Sequence, residues 1–139
     1  IIQENENLEI KVLVGEVKGV KSAVQTYSPV SIFDVQYLAP GEIDLDISKD
    51  QITMVYIIEG ELQFSEENKI ASKGQMVYFD QSSDEIKLTS ISTIGSYLVL
   101  AGKALDEPVV RYGPFVASTE GEMKKAMSDY QNGKMGRLE

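Results

Sequence analysis

A chain of 139 residues with 42% hydrophobic content is long enough for one domain with a sizeable core and too short for two ordinary ones. Its 22 acidic and 13 basic residues leave a formal charge of −9, which opposes contact with phosphate backbones and argues against direct nucleic-acid binding. Cysteine and histidine are both absent, which excludes disulfides, thiolate nucleophiles, Cys-ligated zinc and every Ser-His or Cys-His device.

From Leu8 to Leu100 the chain reads as short β-prone runs broken by Gly, Pro, Ser, Asn or Asp. Leu8 to Val14 alternates before Gly15, and Val20 to Tyr27 is expected to return as its hairpin partner, stopping at Ser28-Pro29. Ile32 to Leu38 runs into Pro40-Gly41, a turn dipeptide. In Glu42 to Ile47 the alternation puts Ile43, Leu45 and Ile47 on an inner face and the acids in water. Thr53 to Ile58 is more continuously apolar, as expected of a strand buried on both sides. Glu59-Gly60-Glu61 breaks it, Leu62 to Ser65 continues, and Glu66-Glu67-Asn68 reads as a loop. Ile70 to Ser72, Gln75 to Phe79, Glu85 to Ser90 and Thr93 to Leu100 complete roughly nine or ten strands. Their number and spacing suit a jelly-roll or cupin barrel better than a β-α-β fold.

Beyond Ala101-Gly102 the character changes. Leu105 to Pro108 and Tyr112-Gly113-Pro114-Phe115 are expected to be irregular or edge-like, because each proline removes a ladder donor. A helix follows: Thr119 and Glu122 have capping-box spacing, Met123, Ala126, Met127 and Tyr130 share one face, and Asn132-Gly133 is the stop. The expected organisation is one all-β domain over 1–139, a barrel over about 8–100 and a strap with one C-terminal helix over about 101–136.

The segment Gly102-Lys103-Ala104-Leu105-Asp106-Glu107-Pro108 with Tyr112-Gly113-Pro114-Phe115-Val116 is similar to the pirin family's G-x-P-L-x-E-P-x-x-x-Y-G-P-F-V stretch, with Ala104 where the family has proline. Thr119, Glu122, Ala126, Asp129-Tyr130, Gly133 and Gly136 resemble the helical block that follows it in that family. Weaker likenesses lie upstream, at Val14-Gly15-Glu16, Tyr27-Ser28-Pro29, Ala39-Pro40-Gly41 and Val55 to Gly60. The resemblance is to the second of the two cupin domains in a pirin. It implies a cupin-like jelly-roll fold, and it implies that the family's iron site, three histidines and a glutamate, belongs to the first domain.

The usual cupin motif H-x-H-x(3,4)-E-x(6)-G, counted back from Gly60, puts Thr53 at the glutamate position and either Ile47 and Lys49 or Asp46 and Ser48 at the histidine positions. The second motif's histidine falls near Asp84. None of these makes a ligand set, so no metal, cofactor or catalytic residue is expected in this chain. Glu42, Asp44, Asp46 and Asp50 invite a calcium site, but alternate residues on one strand are held about 7 Å apart and splayed in parallel, so a solvated strand face is the stronger reading. Tyr112, Pro114 and Phe115 are either a docking element or a strap that buries its aromatics. Met123, Met127 and Tyr130 form a helix face that covers the barrel or meets another domain. Lys124, Lys125, Lys134 and Arg137 read as a solvated cationic face. Met54, Tyr56, Met76 and Tyr78 are candidates to line a small-molecule pocket inside the barrel.

The expected function is a metal-free interaction or structural module, with self-association or a partner cupin domain as its partner. The resemblance carries two further expectations: half of a two-domain, quercetinase-like metal-dependent dioxygenase whose chemistry lies elsewhere, or a transcription cofactor acting through protein partners. A small-molecule-binding barrel is the remaining alternative. No apolar run approaches the roughly 20 residues of a membrane helix, and the first nine residues are too polar for a leader, so a cytoplasmic protein is expected. The chain opens at Ile1 rather than Met, which leaves an upstream extension open.

Overall fold

Side-chain alternation decides which face of each strand is buried, and the register of pairing follows from it. The computed structural model describes residues 1–64, 69–80 and 84–136, in two units, Ile1–Ala104 and Leu105–Glu139. The first unit carries β1 (Ile2–Asn5), β2 (Leu8–Val14), β3 (Glu16–Val17), β4 (Val20–Lys21), β5 (Val30–Tyr37), β6 (Gly41–Asp46), β7 (Gln51–Glu59) and β8 (Glu61–Phe64). It continues with β9 (Lys69–Ser72), β10 (Met76–Phe79), β11 (Glu85–Ser90) and β12 (Gly95–Lys103).

Six strands form one sheet in the order β1-β2-β5-β12-β7-β10, and four form a second in the order β6-β11-β8-β9. Every pairing in both is antiparallel. The sheets share a single apolar core: Ile10, Phe33, Val35, Val55, Ile57, Tyr97 and Val99 from the first, and Ile43, Leu45, Leu62 and Leu88 from the second. This is a mostly β, jelly-roll arrangement of two stacked sheets, as the strand spacing predicts.

Several local expectations need correction. The return strand expected over Val20 to Tyr27 is only Val20–Lys21, paired with Glu16–Val17 rather than with β2. Residues 22–29 form no strand, and β2 pairs with β5 instead. The cause is local, since Lys18-Gly19 makes a tight turn and Ser22 caps the ribbon by donating to the Leu13 carbonyl at 2.6 Å. β7 is not buried on both sides. Thr53, Val55 and Ile57 are enclosed, while Ile52 and Ile58 are exposed and Met54 and Tyr56 half-buried. β1 was not anticipated, because Ile2–Asn5 is largely polar and is held by register with β2. The expected loop Glu66-Glu67-Asn68 lies outside the described residues.

The second unit contains β13 (Val110–Tyr112), β14 (Phe115–Ala117) and α1 (Glu120–Gln131). Tyr112-Gly113-Pro114-Phe115, expected to be irregular or edge-like, is the turn of a two-stranded hairpin, with Tyr112 opposite Phe115. Gly113, at φ +54, supplies the left-handed residue that a two-residue turn needs, and Pro114 sits where no ladder donor is required. The helix is capped as its sequence predicts. Thr119 Oγ1 accepts from the Glu122 N–H at 3.2 Å, and the Glu122 carboxylate accepts from the Thr119 N–H at 3.1 Å. α1 packs on its own hairpin, where Phe115 and Tyr130 meet edge to face at 5.6 Å.

Candidate functional site

The outer face of the six-stranded sheet follows directly from the register. Leu100 on β12 stands opposite Ile32 on β5 and Met54 on β7, and Met54 stands opposite Tyr78 on β10. One row therefore runs Ile32-Leu100-Met54-Tyr78 across four strands. The next is Leu98-Tyr56-Met76, with Asp34 opposite Leu98 at its far end. Ile52 and Ile58 extend the same face, and Ile52, Met76 and Tyr78 remain 42%, 54% and 63% exposed. Soluble surfaces seldom leave so continuous an apolar face in water, so it is the strongest candidate site in this unit. A shallow cleft of about 340 Å³ opens on it, lined by Val30, Ile32, Ile52, Met54, Leu100 and Lys103 among others.

This placement corrects the expected barrel pocket. Met54, Tyr56, Met76 and Tyr78 do come together, as the rows show, but on the outside of the sheet. Two-residue periodicity explains the error: Thr53, Val55 and Ile57 take the interior of β7, and Val77 and Phe79 turn to the core from β10. The continuous apolar run suggested burial on both sides, and which half faced inward was not marked by polarity.

At the positions where a cupin motif places ligands, Thr53 is fully enclosed and Ile47 is 3% exposed. The Asp84 carboxylate accepts from the Lys49 N–H at 2.8 Å, and the Asp84 carbonyl accepts from the Ile47 N–H at 3.0 Å. A hydroxyl, an alkyl chain and a carboxylate engaged in a turn do not fit a transition metal. Among the described residues no three Asp or Glu groups lie close enough to hold a cation. Glu42, Asp44 and Asp46 line an exposed face of β6, where Lys87 on β11 stands opposite Asp44 and reaches Glu42 at 2.7 Å. That hydrogen bond to Glu42 is the main cause holding the Lys87 ammonium above its ordinary pKa.

The interior holds polar groups that the sequence did not single out. Tyr37 is buried with its hydroxyl 2.7 Å from Ser92 Oγ and 3.3 Å from the Glu61 carbonyl. Any side chain at Gly95 would strike the Tyr37 ring and the Glu59 carbonyl. Tyr97 is wholly enclosed, and burial pushes its phenol well above the usual tyrosine range, opposed in part by the neighbouring Ser90 hydroxyl. Neither hydroxyl completes a hydrogen bond of good geometry among the described residues. Alternation around Gly95 to Lys103 marks Tyr97 as inward, which was the available signal.

In the second unit the expected interaction residues divide. Phe115 and Met127 are half-buried and Met123 is 5% exposed, whereas Tyr112, Pro114 and Tyr130 stand largely in solvent. Lys124, Lys125 and Lys134 are exposed, as a solvated cationic face requires, while Arg137 lies outside the described residues. An open cleft of about 690 Å³ in the first unit is lined by Glu16, Lys21, Ser22, Gln25, Thr26 and Gln51 among others, and the segment 22–29 forms much of its wall. No described helix is long and apolar enough to cross a membrane.

Comparison with known proteins agrees with this geometry. Residues 32–136 match the pirin C-terminal cupin domain. The chain is 33% identical to Pirin-1 of Arabidopsis thaliana over 136 residues, covering 96% of this chain and 47% of that protein. It is 30% identical to Pirin of Mus musculus, covering 94% of this chain and 46% of that one. A crystal structure titled quercetin 2,3-dioxygenase from Acinetobacter baumannii superposes over the whole of this chain and 48% of its own, with TM-score 0.80 and 27% identity. The chain thus spans about half the length of the curated relatives it matches.

Proposed function

This chain belongs to the pirin family, through its C-terminal cupin domain, and from that premise we propose that it serves as a metal-free, cytoplasmic interaction module that braces a partner cupin domain. The observation that carries the reading is the outer sheet face, where Ile32, Leu98, Leu100, Met54, Tyr56, Met76 and Tyr78 form unbroken apolar rows. Sheets stack about 10 Å apart through such faces, and burial of apolar area stabilises the contact at roughly 25 cal/mol per Å². Interfaces between domains of one chain are commonly 600–1,500 Å² and need not hold unaided, because a tether keeps the local concentration high. The relatives' additional length supports a partner of similar size. To test this, the chain is mixed with the N-terminal half of Pirin-1 and followed by calorimetry. The expected result is a complex that Met54→Lys abolishes. No association, or binding indifferent to Met54→Lys, overturns it.

The likeness to the quercetin 2,3-dioxygenase structure supports a second reading, in which the assembled protein oxidises a flavonol and this half contributes no ligands. Consumption of quercetin only when the other half and its metal are present is the expected result. Turnover by this chain alone would overturn the assignment of the chemistry to the other half.

A further inference from the structure

We propose that β10 is a pairing edge through which two copies of this chain join, strand to strand, into one continuous sheet. Among the described residues β10 pairs on one side only, with β7, and so forms a margin of the six-stranded sheet. The Ile57 N–H donates to the Gln75 carbonyl at 3.0 Å, so by antiparallel alternation Val77 and Phe79 also bond toward β7. The N–H and C=O groups of Met76 and Tyr78 consequently point away from the sheet, as an unused ladder.

The two margins of the sheet differ in composition. β1 carries Gln3, Glu4 and Asn5, the polar and charged side chains that usually blunt an edge. β10 reads Met-Val-Tyr-Phe with no charge, and both apolar rows of the outer face run to it and end there, on Met76 and Tyr78. A strand laid against this edge would extend those rows.

The occupant that fits is the same strand in reverse. An antiparallel pair centred on Val77 sets Met76 of each copy opposite Tyr78 of the other and exchanges four N–H···O bonds through the outward groups. It also joins a thioether to an aromatic ring on each side of the axis, a favourable cross-strand contact. Lys73 precedes the strand and Asp80 follows it, so reversal brings the cation of one copy toward the anion of the other. A parallel strand would set like charge beside like.

Light scattering combined with amide exchange tests the proposal on the unsubstituted chain. The expected results are a mass that doubles from 15.4 kDa as the solution is concentrated, with the Met76 and Tyr78 amides slowed ~10-fold or more over the same range. Met76→Pro, which removes an outward donor and no bond to β7, is expected to remain monomeric with an unchanged melting curve. Met54→Lys, in the middle of the outer face, is expected to dimerise as before. A monomer at every concentration overturns the proposal. So does a dimer that Met54→Lys dissolves while the Met76 and Tyr78 amides stay unprotected, an outcome that assigns self-association to the face. If Met76→Pro fails to fold, the amide exchange of the unsubstituted chain decides.

Discussion

Tyr97 shows how a single side chain can set a pH limit on the fold. Its phenol is enclosed, and burial opposes formation of the phenolate, so the folded protein holds that proton to higher pH than the unfolded chain does. The associated stability is present in full below the unfolded value of about 10, and it is lost as pH rises from there toward the raised folded value. The limiting slope for one such group is about 1.4 kcal/mol per pH unit. Tyr97→Phe is therefore expected to flatten the alkaline arm of a urea-stability profile, with little change near neutrality because the lost hydroxyl has no good hydrogen bond to forfeit. An alkaline arm unchanged in Tyr97→Phe would contradict the argument. Gly95 sets a steric limit in the same region. A methyl group there meets the Tyr37 ring and the Glu59 carbonyl, so Gly95→Ala is expected to cost about 2–4 kcal/mol, read as a lower urea midpoint at constant slope. A cost below about 0.5 kcal/mol would show that the Tyr37 side of the core yields.

At the scale of elements, α1 depends on local chemistry more than the strands do. Both hydrogen bonds of its capping box are formed, and substitutions at such a cap typically cost about 1 kcal/mol. Thr119→Ala is accordingly expected to loosen the helix selectively, with faster amide exchange over 120–131 and little change in β7 or β12. Uniform acceleration throughout the chain would mean that the helix does not open by itself. The hairpin before it rests on the Gly113-Pro114 turn and on the edge-to-face contact of Phe115 with Tyr130. The strands of the first unit derive their order from neighbours instead. β7 is the clearest case, since its two-residue period separates Val55 and Ile57 from Met54 and Tyr56, and packing against the second sheet is what turns the first pair inward.

For the molecule as a whole, the positions where a cupin motif would bring ligands hold Thr53, either Ile47 and Lys49 or Asp46 and Ser48, and Asp84, which together make no transition-metal ligand set, so stability should not depend on a metal. Chelator treatment, or addition of ferrous or nickel ions, is expected to leave the melting temperature unchanged within ~1 °C, whereas a specific ion at 100 times its Kd would add about 2.7 kcal/mol and raise it by roughly 10 °C. A shift of that size would require ligands other than those the motif predicts. The broad plan of the molecule was legible in the residues. Alternation in Glu42 to Ile47 and Glu85 to Ser90, punctuation such as Pro40-Gly41, and the Thr119/Glu122 pair are local signals, and each element they mark is present. The absence of histidine and cysteine likewise follows from composition alone. Tertiary pairing decided what composition left degenerate. A period of two specifies that Met54 and Val55 face opposite ways but not which one faces the core, and that choice requires the second sheet. For the same reason the four residues proposed for an interior pocket lie together on the outer face. That β10 has a free margin among the described residues while β7 has none depends on strand order, which long-range hydrogen bonding sets and no local pattern encodes.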